Sequence, residues 1–186
     1  MKSIKIAAAF LLLCVLTSPA QVLVSLGSNG FSVDEGSSAP YSQTAITLAF
    51  NSSVAFGDTV YGAWNTTYNW SSYINFGLEF NVVGTNPNLP VSVYFYDTNF
   101  NLINEYSLST AGVGSTTTVV PLVLVTPGSG NLNAVANFQL SWAGNGAVNA
   151  TFTNVVAIPE PSTWILLSGA LAAMAFCRRK NSTKYR

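Results

Sequence analysis

Between Tyr61 and Tyr73 the chain carries five aromatic side chains, Tyr61, Trp64, Tyr68, Trp70 and Tyr73, with Asn65, Thr66, Thr67, Asn69 and Ser71 among them. Exposed aromatic faces stack on sugar rings, and neighbouring amides and hydroxyls bond sugar hydroxyls, so Trp64, Tyr68, Trp70 and Tyr73 form a candidate glycan-binding platform. Tryptophan is equally at home in a β-sandwich core, and spacing alone does not choose between the two. Carboxylates suggest two further chemistries. A glycoside hydrolase needs two of them about 5 to 9 Å apart across a cleft; Glu79 and Asp97 fall on neighbouring predicted strands, but the sequence does not put them on one face. Asp34 and Glu35, in SNGFSVDEGSS, offer hard oxygen ligands for a structural Ca²⁺ without the spacing of an EF-hand loop.

Other chemistry is excluded by content. Residues 21–158 contain neither histidine nor cysteine, which removes Ser-His-Asp triads and zinc sites, and no Gly-rich loop ends in lysine. No catalytic residue, metal ligand set or cofactor is assigned, and the chain does not read as an enzyme. Within 21–158 four Asn-X-Ser/Thr triplets, starting at Asn51, Asn65, Asn69 and Asn149, arise by chance in a stretch this rich in Asn, Ser and Thr.

The formal net charge of zero conceals a strong asymmetry. All seven basic residues, Lys2, Lys5, Arg178, Arg179, Lys180, Lys184 and Arg186, lie outside 21–158. Within it stand Asp34, Glu35, Asp58, Glu79, Asp97 and Glu105, so this segment is acidic at neutral pH and has no cation at all. Nucleic-acid binding depends on cationic contacts that release counterions, and it is excluded here. Cys14 and Cys177 lie in apolar terminal segments, leaving the middle of the chain without a disulfide and dependent on its hydrophobic core.

Those core positions follow a period of two. From Ile74 to Val82 the even positions are apolar and the odd ones small or polar, predicting a strand with one buried face. Similar patterns predict strands at 44–50, 58–64, 91–97, 101–108, 116–125, 137–143 and 148–157, separated by turn-rich segments such as TNPNLP and TPGSGN. VSVYFYD and NLINEY form a hairpin through Thr98-Asn99-Phe100, with Asp97 and Asn99 as side-chain acceptors, and Phe138, Leu140 and Trp142 form an inward row. The expected fold is an all-β, antiparallel two-sheet sandwich of jelly-roll type over 21–158.

Both ends look like targeting segments. Lys2 and Lys5 precede the apolar run Ile6–Leu16 and the small-residue stretch Thr17-Ser18-Pro19-Ala20, which predicts a secretory signal peptide over 1–20 cut after Ala20. At the other end Pro159-Glu160-Pro161-Ser162 precedes an apolar segment expected as a single transmembrane helix over 163–177, then Arg178, Arg179 and Lys180. Fifteen helical residues span about 22 Å against a hydrocarbon core of about 30 Å, a short span suited to temporary attachment. Trp164 would lie at one interface and the basic cluster on the cytoplasmic side, leaving the body outside.

This order of signals resembles the PEP-CTERM domain of bacterial surface proteins, which are handled by membrane proteases called exosortases and are often associated with exopolysaccharide production. Pro159, Glu160, Pro161 and Ser162 match its recognition motif, Trp164 falls where the family often has an aromatic, and Arg178, Arg179 and Lys180 match its basic terminus. The resemblance covers only about the final thirty residues (159–186). It implies an exported protein, transiently held in the membrane and then released to the cell surface or matrix, with an exosortase as partner and a structural, adhesive or biofilm role. The alternative reading is a carbohydrate-binding module using the aromatic platform, with extracellular polysaccharide as partner; a glycoside hydrolase is more distant. If the protease reads the tripeptide, Glu160→Ala leaves export intact and traps the full-length protein in the membrane. Intact-mass spectrometry from the native host decides this, since a mature form still carrying Trp164 to Arg186 rules processing out.

Overall fold

Alternation places Leu78, Phe80 and Val82 on one side of a strand, and the same rule generates most of two six-stranded antiparallel sheets. The structure, a computed structural model, describes residues 20–83 and 90–159. Residues 1–19 of the expected signal peptide, the 163–177 helix, and Glu160, Pro161, Ser162, Trp164, Arg178, Arg179 and Lys180 lie outside the described residues. Among the described residues no helix is long and apolar enough to cross a membrane.

Gln21–Ile158 forms one compact unit. Its strands are β1 Gln21–Ser25, β2 Phe31–Val33, β3 Ser42–Gln43, β4 Leu48–Val54, β5 Thr59–Tyr68 and β6 Phe76–Val82, then β7 Pro90–Asp97, β8 Leu102–Ser109, β9 Thr118–Pro121, β10 Val123–Pro127, β11 Val135–Trp142 and β12 Gly146–Ala157. One sheet runs β3-β4-β12-β6-β9, with β1 also on β12; the other runs β10-β8-β7-β11-β5-β2. Neighbours distant in sequence, such as β12 between β4 and β6, are typical of Greek-key and jelly-roll sandwiches.

The sheets meet through rings. Phe50 of β4 packs edge-on to Trp142 of β11 with centroids 5.3 Å apart, and Phe76 of β6 lies 6.0 Å from Phe95 of β7. Phe138, Leu140 and Trp142 are fully buried in one inward row, as their alternation requires. Gly62 of β5 lets β2 lie close beside it, because a Cβ there would stand 2.2 Å from the Ser32 carbonyl oxygen.

Three expectations need correction. Ile74 is outside β6 and exposed, since a turn in which the Tyr73 N–H donates to the Trp70 carbonyl interrupts the alternation before Phe76. The strand expected at 44–50 begins at Leu48, because Thr44 and Thr47 close a tight turn through backbone and hydroxyl contacts that leaves Ile46 exposed. The segment 116–125 is two strands in different sheets: β9 ends at Pro121, and the Leu122 N–H donates to the Phe76 carbonyl where the chain crosses over.

The β7–β8 hairpin turns on a single carboxylate. Asp97 Oδ1 accepts from the backbone N–H groups of Asn99 and Asn101 at 2.9 and 3.0 Å, while Oδ2 accepts from Asn101 Nδ2 at 3.1 Å and from the Asn131 N–H at 3.3 Å. Asn99 thus takes part through its backbone N–H, as a donor. Asn137 Nδ2 of β11 donates to the Asp97 carbonyl at 2.9 Å, tying the turn to the centre of the sheet. Burial alone would raise the Asp97 carboxyl, but the four N–H donors on its charged form outweigh it and hold the group below the usual carboxylate range.

Two outcomes follow from this packing. Trp70 is buried against Trp64, Phe76 and Phe95, with centroids at 5.7, 5.5 and 5.1 Å, so Trp70→Ala lowers unfolding free energy by about 3–5 kcal/mol in denaturant titration. Because the folded Asp97 titrates below its unfolded value near 4, its stabilisation is complete above that value and is lost as pH falls through the lower, folded one. The stability gap between the wild type and Asp97→Asn is therefore constant from pH 7 to about 5 and closes below about pH 4.

Candidate glycan-binding face

The aromatic platform expected between Tyr61 and Tyr73 is not a single surface. Trp64 and Trp70 are only 5% and 2% exposed, and the Trp64 Nε1 donates to the Ser25 carbonyl at 3.1 Å, so neither indole offers a free face. Tyr68 and Tyr73 are half-buried and pack against the core. The correction is physical: β5 alternates, Val60, Gly62 and Trp64 point inward, and Trp70 follows a turn that returns it to the core.

Tyr61 points the other way and joins residues from three other strands. In β7 Val91, Val93 and Phe95 are buried, which leaves Ser92, Tyr94 and Tyr96 on the outer face of the second sheet. Register then builds a row across four strands, Glu105 opposite Tyr94, Tyr94 opposite Gln139, and Gln139 opposite Tyr61. A second row sets Tyr96 opposite Asn137, Asn137 opposite Ala63 and Ala63 opposite Ser32. The Tyr94 and Tyr96 rings lie 6.3 Å apart and only 22° from parallel, forming an aromatic strip along β7.

Hydrogen bonds fix that strip. The Tyr94 hydroxyl donates to Glu105 Oε1 and the Tyr96 hydroxyl to Gln139 Oε1, both at 3.2 Å. Burial, with Tyr94 and Glu105 nearby, pushes the Tyr96 hydroxyl above its ordinary value. The Asp34 carboxylate does the same for the Tyr61 hydroxyl beside it. Both phenols therefore stay protonated at neutral pH and keep their donor capacity.

Beside this strip runs a groove of about 510 Å³ whose walls include Tyr61, Tyr96, Asn137, Gln139, Asp34 and Phe100. Phe100, in the Asp97 turn, is the one non-glycine residue with positive φ among the described residues, at 60°. That conformation costs roughly 1–2 kcal/mol for a side chain with a Cβ, and the ring is 72% exposed. The N–H of Phe100 donates to the Asp97 carbonyl at 3.1 Å, so the turn that holds Asp97 also holds Phe100 in place. Apart from Tyr61, none of these groups belongs to the aromatic-rich stretch singled out in the sequence. Alternation in VSVYFYD was a usable signal for Tyr94 and Tyr96 facing outward.

The carboxylates weighed for other chemistry stand apart. Glu79 lies on β6 of the first sheet, where its Oε2 accepts from Thr153 Oγ1 at 3.0 Å and from Asn154 Nδ2. Asp97 lies on β7 of the second sheet with its oxygens occupied by the turn, so the two do not flank one cleft. Asp34 Oδ1 accepts from the Gly36 N–H at 2.8 Å in a local turn, and Glu35 is exposed. Among the described residues no group of three or more His, Cys, Asp or Glu is placed to hold a metal ion.

Comparison with solved structures gives likenesses of fold. An agarase, AgWH50C, is 12% identical over 76% of this chain and 25% of its own, with a TM-score of 0.53. PfGH50B is 11% identical over 75% of this chain and 24% of its own, with a TM-score of 0.52. A family 11 carbohydrate-binding module from Clostridium thermocellum, solved with a β-1,3-1,4-mixed-linked tetrasaccharide, is 13% identical over 76% of this chain and 97% of its own, with a TM-score of 0.49. The chain thus spans about a quarter of the length of the first two. No curated protein matches it. Residues 157–180 match the PEP-CTERM protein-sorting motif, so the chain carries at its C-terminal end the sorting signal that its Pro-Glu-Pro tripeptide suggested.

Proposed function

We propose that this is an exported surface or matrix protein, sorted by an exosortase-type protease through its C-terminal motif, whose β-sandwich holds extracellular polysaccharide on the outer face of its second sheet. The sorting half rests on the motif at 157–180. In this reading residues 1–20 are a signal peptide, the apolar stretch 163–177 is a transient anchor, and the body faces away from the cytoplasm.

The binding half rests on one observation, the groove beside Tyr94 and Tyr96 with Tyr61, Gln139 and Asn137 in its wall. Stacking rings with hydroxyl and amide groups at their edges suit sugars, whose rings offer apolar faces and whose hydroxyls need partners. Glu79 and Asp97 sit on different sheets, which favours binding over hydrolysis. The agarase likeness is one of fold and does not choose the glycan.

A purely structural role is favoured by a different feature. β10 ends the second sheet with Val123, Leu124 and Val125 exposed and uncharged, an edge open to pairing with another strand. Affinity electrophoresis of the full chain in detergent micelles through gels of soluble polysaccharides separates the two. Tyr94→Ala and Tyr96→Ala each weaken retention by about 1–3 kcal/mol, by analogy with base stacking on aromatic side chains, and leave the melting temperature within a few degrees. Unretarded migration of the wild type in every gel, with oligomers in sedimentation, supports the structural role.

A further inference from the structure

We propose that Phe100 is the rim platform of this groove, stacking on a ring of a neutral polysaccharide whose chain lies against the Tyr94–Tyr96 strip, and that the groove rejects polyanionic glycans. The inference rests on the binding reading above and adds to it a ligand class and a residue.

Phe100 is the first argument. Glycine or asparagine would take its left-handed backbone at little cost, and a bulky residue there is an outlier that asks for a reason. Packing does not supply one, because the ring stands mostly in solvent. The backbone conformation is imposed by the turn around Asp97, whose carboxylate also collects the Asn131 N–H and whose carbonyl accepts from Asn137, a residue in the groove wall. A large apolar ring is therefore set on a rigid mount at the edge of the groove, close in sequence to the Tyr96 ring that lines the same wall. A short loop carrying a fixed exposed aromatic beside a largely apolar groove with amide and hydroxyl groups in its wall matches the amphipathic surface of a pyranose.

Charge is the second. Asp34 lies in the groove wall, and Glu105 accepts from Tyr94 at the head of the strip. Nowhere between residues 21 and 158 is there a lysine, arginine or histidine to offset them. A uronate or sulfate group entering here would meet like charge and no cationic clamp, whereas a neutral chain loses nothing.

The full chain in detergent micelles tests both parts at about 0.15 M salt, which screens the basic clusters of the termini, against mixed-linkage β-glucan, agarose and starch as neutral probes and alginate and carrageenan as polyanions. The wild type is retained by at least one neutral polymer and by neither polyanion. Phe100→Gly, which suits the positive φ, weakens neutral retention roughly five- to tenfold while the melting temperature holds or rises, and Phe100→Tyr restores it. If Phe100→Gly binds as the wild type does while Tyr96→Ala does not bind, the rim role is overturned and the groove stands. Equal retention by alginate or carrageenan overturns the selection for neutral chains. A wild type retained by no polymer overturns the binding reading itself and this inference with it.

Discussion

A buried carboxylate with every oxygen occupied organises the second sheet. Asp97 is 4% exposed, yet its charge is met by four N–H groups from Asn99, Asn101 and Asn131. A buried charge survives only when it is hydrogen-bonded this thoroughly. The arrangement sets the reversal between β7 and β8, the approach of the chain to β11, and the backbone of Phe100. Lose the carboxylate, and two separate segments, the 99–101 turn and the chain at Asn131, lose a shared acceptor.

Much of the sandwich could be read from alternation, and the exceptions have local causes. β6, β7, β8, β11 and β12 are long enough for a period of two to dominate. β2 and β3, of three residues and two, are too short to show a pattern, and β1 adjoins the stretch read as a leader. Ile74 and Ile46 kept the alternation alive in the sequence past the point where a hydrogen-bonded turn had ended it in space.

The binding face was less legible because it is a product of pairing across long sequence separations. Tyr61 and Tyr94 stand apart in the chain and meet only because β11 lies between β5 and β7 and presents Gln139 to both. Residue type left the choice open, since Trp64 and Trp70 carry the same π-faces whether they bind sugar or fill a core, and here they fill a core. The strain at Phe100 leaves no trace in composition; only the backbone reveals it.

The first and last strands of the sandwich lie side by side, with Gln21 opposite Ala157, and β12 runs its twelve residues bonded to β6 along one side and to β4 and then β1 along the other. A pull transmitted through Ile158 would act along the axis of β12, loading its hydrogen bonds to three strands in shear, together rather than one after another. Such geometry resists extraction far better than a hairpin peeled from its turn. For a domain with no cysteine to staple it, the mechanical strength of any tether at this end resides in the ladders of that one strand.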